Sequence, residues 1–119
     1  MSTILIVDDE SSIRFLVRIT LENAGHTVVE AHHGVAALER MAETRPDVVV
    51  TDLMMPVMGG HQLIERLRSD PETATIPIVV LSANSNLEAE HADSALGKPF
   101  DPHSLVVSVQ TLLEKGGTR

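Results

Sequence analysis

The sequence has no cysteine, no tryptophan and no tyrosine, and only two phenylalanines among its 119 residues. Without cysteine there is no disulfide, no thiolate metal ligand and no thiol nucleophile. The scarcity of aromatic side chains leaves no platform on which nucleic-acid bases would stack. A chain without cysteine suits a reducing cytoplasm, and a cytoplasmic location is therefore expected.

Basic residues are also few: nine Lys and Arg stand against seventeen Asp and Glu, for a net charge of −8. Direct nucleic-acid binding leaves a basic footprint, and none is visible, so this chain is expected to bind no nucleic acid itself. No apolar run approaches the roughly 20 residues of a membrane helix. The first residues also lack a basic region ahead of a long apolar stretch. Neither a membrane partner nor a signal peptide is predicted.

Short apolar runs alternate with stretches of helical periodicity along the whole chain, which fits a single domain over residues 1–119. The near-continuous apolar character of the runs predicts parallel strands buried on both faces. Right-handed crossovers then favour a doubly wound α/β sheet of five strands. The predicted strands are 3–9, 26–31, 47–52, 76–82 and 94–97. The predicted helices are 12–25, 34–45 and 102–116, with a further helix that follows Gly59-Gly60 and runs through Ser69.

Helical spacing also predicts which helix faces are buried. The side chains expected to point inward from the first two helices are Ile13, Leu16, Val17, Thr20, Leu21, Ala24, Leu38, Met41 and Ala42. Phe15 and Ile19, four residues apart, fall off this face and are expected to be exposed.

Polar residues gather where the predicted strands end. Asp8 and Asp9 close the first strand, Asp52 the third and Ser82 the fourth, and Lys98 follows the fifth. Taken singly, each has a structural explanation as a helix cap, a turn residue or a surface charge. The carboxyl ends of parallel strands, however, lie on one edge of a sheet, where ligands bind. The joint placement therefore predicts one polar crevice.

Clustered carboxylates repel one another unless a cation neutralises them. Because oxygen ligands dominate and neither cysteine nor paired histidine joins the set, the cluster suits Mg²⁺ better than zinc. A lysine and a hydroxyl beside such a metal form a receptor for a phosphoryl group, which a carboxylate oxygen can attack in line.

The stretches ILIVDDE, PDVVVTDLMMPVMGG, IPIVVLSA and GKPF together resemble the receiver domains of two-component response regulators over essentially the whole chain. The resemblance implies a flavodoxin-like sheet of strand order 2-1-3-4-5. It further implies that Asp52 is the phosphoacceptor. Mg²⁺ or Mn²⁺ would be held by Asp8, Asp9, Asp52 and the backbone carbonyl of Met54.

The same resemblance assigns the phosphoryl-binding groups. Ser82 supplies a hydroxyl, Ala83 a backbone group and Lys98 an ammonium. The Lys98–Pro99 peptide bond matches one that is often cis in the family, as X-Pro chemistry allows.

The implied function is that of a phosphoacceptor rather than a turnover enzyme. A histidine kinase or a histidine phosphotransfer protein donates the phosphoryl group, and an unknown downstream protein responds to the change in the domain. Phe15 and Ile19, with Arg14 and Arg18 nearby, are predicted to dock the donor. The chain would act alone or as the receiver part of a larger regulator or hybrid kinase.

Two departures from the family pattern keep a pseudo-receiver, a pure interaction module, as an alternative. Ala95 stands where the family usually has an aromatic switch residue. The crossover 83–93 has only eleven residues, whereas a parallel crossover needs about a dozen or more. A fourth helix there is expected to be short, irregular or mobile.

Other classes fit less well. A haloacid-dehalogenase-like phosphatase needs an aspartate two residues after its nucleophile, and Met54 stands there. A flavodoxin-like cofactor binder needs a loop rich in Ser, Thr and Gly after its first strand, whereas DDESS (8–12) would repel an anion.

Overall fold

The computed structural model describes residues 2–55, 58–83 and 92–116. The strands are β1 (Thr3–Val7), β2 (Thr27–Ala31), β3 (Val48–Asp52), β4 (Ile78–Ser82) and β5 (Ser94–Gly97). The helices are α1 (Ser11–Asn23), α2 (Gly34–Glu43), α3 (Gly60–Ser69) and α4 (Pro102–Gly116). The short fourth helix expected within the crossover 83–93 falls on residues 84–91, which lie outside the described residues. Within the described part of the chain, no helix has the length and apolarity needed to cross a membrane.

The five strands form one parallel sheet in the order β2-β1-β3-β4-β5, which confirms the doubly wound, flavodoxin-like fold. Alternate residues of each strand face opposite sides. Ile4 and Ile6 of β1 pack towards α1 and α4, whereas Leu5 and Val7 pack towards α2 and α3. Because β3 and β4 are buried at every position, the sheet is a rigid support for whatever its ends carry.

Two helix faces differ from the sequence prediction. On α1 the buried residues are Val17 and Leu21, while Leu16 is 41% exposed. Successive residues project about 100° apart around a helix. A face centred on Val17 therefore leaves Leu16 at its rim. On α2 the buried residues are Gly34 and Ala37, Leu38 and Met41 pack against the core as predicted, and Ala42 is exposed. A small side chain at the centre of that contact lets the helix lie close to the sheet.

His26, in the turn between α1 and β2, lowers the stability of the fold because a polar ring that is buried without hydrogen bonds costs free energy. Both of its ring nitrogens are buried, and no hydrogen-bond partner for either lies among the described residues. Burial lowers the pKa of His26 from its ordinary value. The folded protein thus favours the neutral ring, whereas the unfolded chain takes up a proton near pH 6.5. The stability that depends on a neutral His26 is present above that pH and is lost as the pH falls below it.

We therefore expect His26→Leu to stabilise the protein more at pH 5 than at pH 8, because the variant has no ring to protonate on unfolding. Urea unfolding of both proteins at the two pH values measures the difference. His103→Leu, at an exposed position, is the control for replacing a histidine by leucine as such. An effect of His26→Leu that is the same at both pH values would contradict the assignment.

Candidate functional site

The parallel register brings the predicted polar residues to one edge of the sheet. Val7 of β1 pairs with Thr51 of β3, so the residues that follow, Asp8 and Asp52, come side by side. Ser82 ends the neighbouring strand β4. Strand β5 ends at Gly97, so the next residue, Lys98, leaves the sheet at the same edge. The structure brings the predicted residues of all four strands together.

The carboxylates form a tight cluster with a graded exposure. Asp8, Asp9 and Asp52 each offer one oxygen, and these oxygens all lie within 4.8 Å of one another. Asp8 is fully buried and Asp52 is 5% exposed, whereas Asp9 is open to solvent. Two acids at the floor and one at the rim leave the cluster accessible from one side. Such a set of oxygens fits a hard divalent cation.

Lys98 is the cation that the protein itself supplies to this cluster. Its Nζ donates a hydrogen bond to Oδ2 of Asp8 at 2.8 Å and lies 3.4 Å from Oδ2 of Asp52. The Lys98 backbone N–H donates to the carbonyl oxygen of Ser82 at 2.7 Å, which fixes its position against β4. The peptide bond between Lys98 and Pro99 is cis, as the sequence led us to expect.

The charges in the pocket are not balanced. Burial raises the pKa of Asp52, and the neighbouring charge of Asp8 raises it further. Lys98 and the Met54 N–H oppose that rise without cancelling it. For Lys98, burial lowers the pKa, but the hydrogen bond and charge of Asp8, together with the charges of Asp52 and Glu10, outweigh burial, and the net shift is upward. The pocket therefore holds its lysine charged and retains an excess of negative charge.

The side chains predicted to dock a partner lie on α1. Phe15 is 63% exposed, and Ile19 and Leu16 are also exposed. We call Phe15, Leu16 and Ile19 the α1 apolar surface. Leu16, which was predicted to point inward, belongs to this surface because it lies at the rim of the buried face of α1.

Arg14 was predicted to lie near this docking surface, but its side chain is directed elsewhere. Its side chain is only 19% exposed and turns towards the pocket, where Nη1 donates to the carbonyl oxygen of Asp8 at 2.7 Å. Sequence reasoning missed this role. A cation in the first turn of a helix opposes the helix dipole, and that unfavourable placement was the available signal.

Gly60, the first residue of α3, lies directly behind Asp52. A Cβ at this position would come within 2.3 Å of the carbonyl oxygen of Asp52 and 2.7 Å of the Cα of Leu53. The Gly60 N–H donates to the Leu53 carbonyl at 2.9 Å. The glycine therefore allows α3 to support the end of β3 at van der Waals contact with its backbone.

Fold and site together define a class: flavodoxin-like α/β domains with an acidic pocket and a lysine at the carboxyl edge of the sheet. The family model described as "Response regulator receiver domain" matches residues 4–110. The chain belongs to the response regulator receiver domain family.

Similar proteins include the DNA-binding dual master transcriptional regulator RpaA of Synechocystis sp. It is 36% identical, over 97% of this chain and 50% of RpaA. The sensor histidine kinase TmoS of Ectopseudomonas mendocina is 40% identical, over 92% of this chain and 12% of TmoS. The solved chemotaxis response regulator CheY4 of Vibrio cholerae superposes with a TM-score of 0.87 at 34% identity, over 94% of this chain and 98% of that one. The chain thus spans half the length of RpaA and a small part of TmoS.

We expect Gly60→Ala to destabilise the protein by about 1–3 kcal/mol, because the added methyl group meets backbone that cannot rotate away. Urea unfolding measures the loss. Gly59→Ala is the matched control, since among the described residues the atom nearest to a Cβ there is the carbonyl oxygen of Leu53, at 3.3 Å. Equal stability losses in the two variants would contradict the close approach of α3 to Asp52.

Proposed function

We propose that Asp52 accepts a phosphoryl group and that the occupied and empty forms of the domain differ in the partners they bind. The observation that carries this proposal is the cluster of three carboxylates within 4.8 Å, with the Lys98 ammonium in contact with Asp8 and Asp52. A buried carboxylate at the end of a fully buried strand is costly unless it is used or paired. Membership of the receiver family supports the same role.

Asp8, Asp9 and Asp52, with the backbone carbonyl of Met54, would hold Mg²⁺ or Mn²⁺. The donor set supports this assignment because it is all oxygen, and because one lysine leaves part of the carboxylate charge unbalanced. When bound, such an ion neutralises charge on the phosphoryl oxygens during transfer.

The chain's own residues would then carry the transfer. An oxygen of Asp52 forms a bond to phosphorus as the bond from phosphorus to the donor imidazole breaks, and the departing nitrogen keeps the electron pair. Lys98 is already 3.4 Å from Asp52, where its ammonium would pair with a phosphoryl oxygen. The Ser82 hydroxyl and the Ala83 backbone would bind the remaining oxygens. Water later hydrolyses the acyl phosphate, so the chain is a phosphoacceptor rather than a turnover enzyme.

The donor is proposed to be a histidine kinase or a histidine phosphotransfer protein that docks on the α1 apolar surface. Phe15, Leu16 and Ile19 are exposed together on α1, the helix that follows the acidic loop. Clustered exposed apolar side chains on a soluble domain mark interaction sites. Because a histidine kinase draws its ATP from the cytoplasm, the transfer is proposed to take place there.

Residues 1–119 are proposed to form one receiver domain, whose output depends on what accompanies it. RpaA is named as a DNA-binding transcriptional regulator and TmoS as a sensor histidine kinase. Both are longer than this chain, so a receiver part of a larger regulator or hybrid kinase remains one form of the proposal. CheY4, matched over 98% of its length, supports a domain that acts alone. The downstream partner is a protein of unknown identity.

A pseudo-receiver that binds partners without phosphorylation is the second candidate, and one observation favours it. Ala95 lies in β5 opposite Val80 and packs on the α2 and α3 side of the sheet, with no aromatic ring at that position. Any signal passing through β5 would therefore be carried by the backbone rather than by a rotating ring.

With Mg²⁺ and a small acyl-phosphate donor, we expect one labile phosphoryl adduct on the wild-type chain and none on Asp52→Asn. The carboxamide lacks the nucleophilic oxygen anion. Intact-mass measurement detects the adduct, and Asp70→Asn, which changes an exposed aspartate at the end of α3, should be labelled as the wild type is. If neither a small donor nor a histidine kinase labels the wild type, the phosphoacceptor proposal is wrong and the pseudo-receiver is favoured.

Docking on α1 predicts a selective defect. With a histidine kinase or phosphotransfer protein that phosphorylates the wild type, Phe15→Ala and Ile19→Ala should each lower the efficiency of transfer, by about tenfold for a central contact residue. Labelling by a small acyl phosphate should be unchanged, because that donor needs no docking surface. Val107→Ala, an exposed apolar residue of α4, is the control. A similar loss with both donors would show that these side chains act on the pocket and not on docking.

A further inference from the structure

Arg14 links three parts of the molecule through one guanidinium group. Its Nη1 donates to the carbonyl oxygen of Asp8 at 2.7 Å, and its Nε donates to Oε1 of Glu30 in β2 at 3.1 Å. One acceptor follows the end of β1 and the other lies in β2, and the residue itself is in the first turn of α1. A planar guanidinium can make both bonds at once in a fixed geometry.

Asp8 is bonded at each of its other polar atoms as well. Its N–H donates to the carbonyl of Ala31 at 3.2 Å, its Oδ1 accepts from the Glu10 N–H at 2.9 Å, and its Oδ2 accepts from Lys98 at 2.8 Å. The contact with Arg14 differs from these in one respect. It holds the carbonyl, which belongs to the peptide unit that Asp8 shares with Asp9.

That peptide unit is planar, so fixing its carbonyl fixes the direction in which the chain enters Asp9. Asp9 is the exposed member of the carboxylate cluster. Its place within 4.8 Å of the other two acids therefore depends on the orientation of the preceding peptide.

We propose that Arg14, oriented by Glu30, is a positioning residue that holds the Asp8–Asp9 peptide so that Asp9 faces the metal site. This inference rests on the proposed metal binding by Asp8, Asp9 and Asp52. Partners that orient metal ligands from behind typically contribute tenfold to a hundredfold to metal affinity.

Arg18 is a natural comparison within the same helix. It also pairs with Glu30, through Nη1, and its Nη2 donates to the carbonyl of Val28 at 3.3 Å. Its side chain is 41% exposed, against 19% for Arg14. Like the replacement of Arg14, the replacement of Arg18 removes one positive charge and one partner of Glu30. It leaves the Asp8 carbonyl bonded to Arg14.

The sign of the effect separates positioning from simple electrostatics. Arg14 is a cation near a cation site, so its removal should strengthen metal binding if charge alone mattered. A positioning role predicts the opposite.

The test is Mn²⁺ titration of the full chain, followed by the electron paramagnetic resonance signal of free Mn²⁺. We expect Arg14→Ala to weaken Mn²⁺ binding by about tenfold, and Arg18→Ala to change it by less than about twofold. In an Asp9→Ala background, Arg14→Ala should have little further effect, because it acts through Asp9. Arg14→Lys, which retains the charge but lacks the planar guanidinium that makes both bonds in a fixed geometry, should also weaken binding, and it serves if Arg14→Ala does not fold.

Each outcome decides a separate point. If the wild type binds Mn²⁺ and Arg14→Ala binds it as Arg18→Ala does, or more tightly, the positioning role is wrong while the metal site stands. If the effects of Arg14→Ala and Asp9→Ala multiply independently, Arg14 does not act through Asp9 and the inference is also wrong. If the wild type binds no Mn²⁺, the metal assignment in the proposed function fails, and the inference fails with it. Urea unfolding of each variant confirms that affinities are compared between folded proteins.

Discussion

The hydrogen bond between Lys98 and Asp8 is the interaction on which the arrangement of the pocket depends. It joins a residue following β5 to a residue following β1, so the lysine side chain reaches past the ends of β3 and β4. A fully buried carboxylate is tolerated only when it is paired and hydrogen-bonded. Burial and the neighbouring charge of Asp8 raise the pKa of Asp52, and Lys98, which supplies one positive charge to both buried carboxylates, opposes that rise without cancelling it. The unbalanced charge is what would allow the pocket to hold a further cation.

The sheet explains why the charged side chains of the pocket keep their positions. β3 and β4 are buried along their whole length, and their register sets Asp52 opposite Leu81, next to the end of β4. Behind Asp52, the absence of a side chain at Gly60 brings α3 into contact with the backbone. Movement of the Asp52 carboxylate would therefore require movement of a strand or a helix. Pre-organised groups of this kind are what phosphoryl transfer needs, because positioning and electrostatics supply most of its catalysis.

The sheet and its polar edge could be predicted from the sequence because they depend on short-range patterns. Apolar runs ending in Asp52 or Ser82 specify a buried strand and a polar end, and parallel topology then brings those ends together. Features that depend on three-dimensional detail could not be predicted in this way. The rim position of Leu16 follows from how α1 rotates on the sheet. The direction of the Arg14 side chain follows from one acceptor after β1 and one in β2, and periodicity contains no information about either feature.

The missing aromatic at position 95 narrows the routes by which the pocket can influence the rest of the domain. Ala95 has no ring whose rotation would report on Ser82, yet the two strands remain connected through their backbones. The Lys98 N–H bonds to the Ser82 carbonyl at 2.7 Å, and Ser82 pairs with Gly97 in the ladder. A displacement of Ser82 towards a phosphoryl oxygen would therefore pull on the backbone of Lys98, whose ammonium already contacts both buried carboxylates. In this domain the end of β5 is coupled to the pocket by main-chain hydrogen bonds and one lysine, so the response to the proposed phosphorylation would be a shift of the strand end rather than a side-chain rotation.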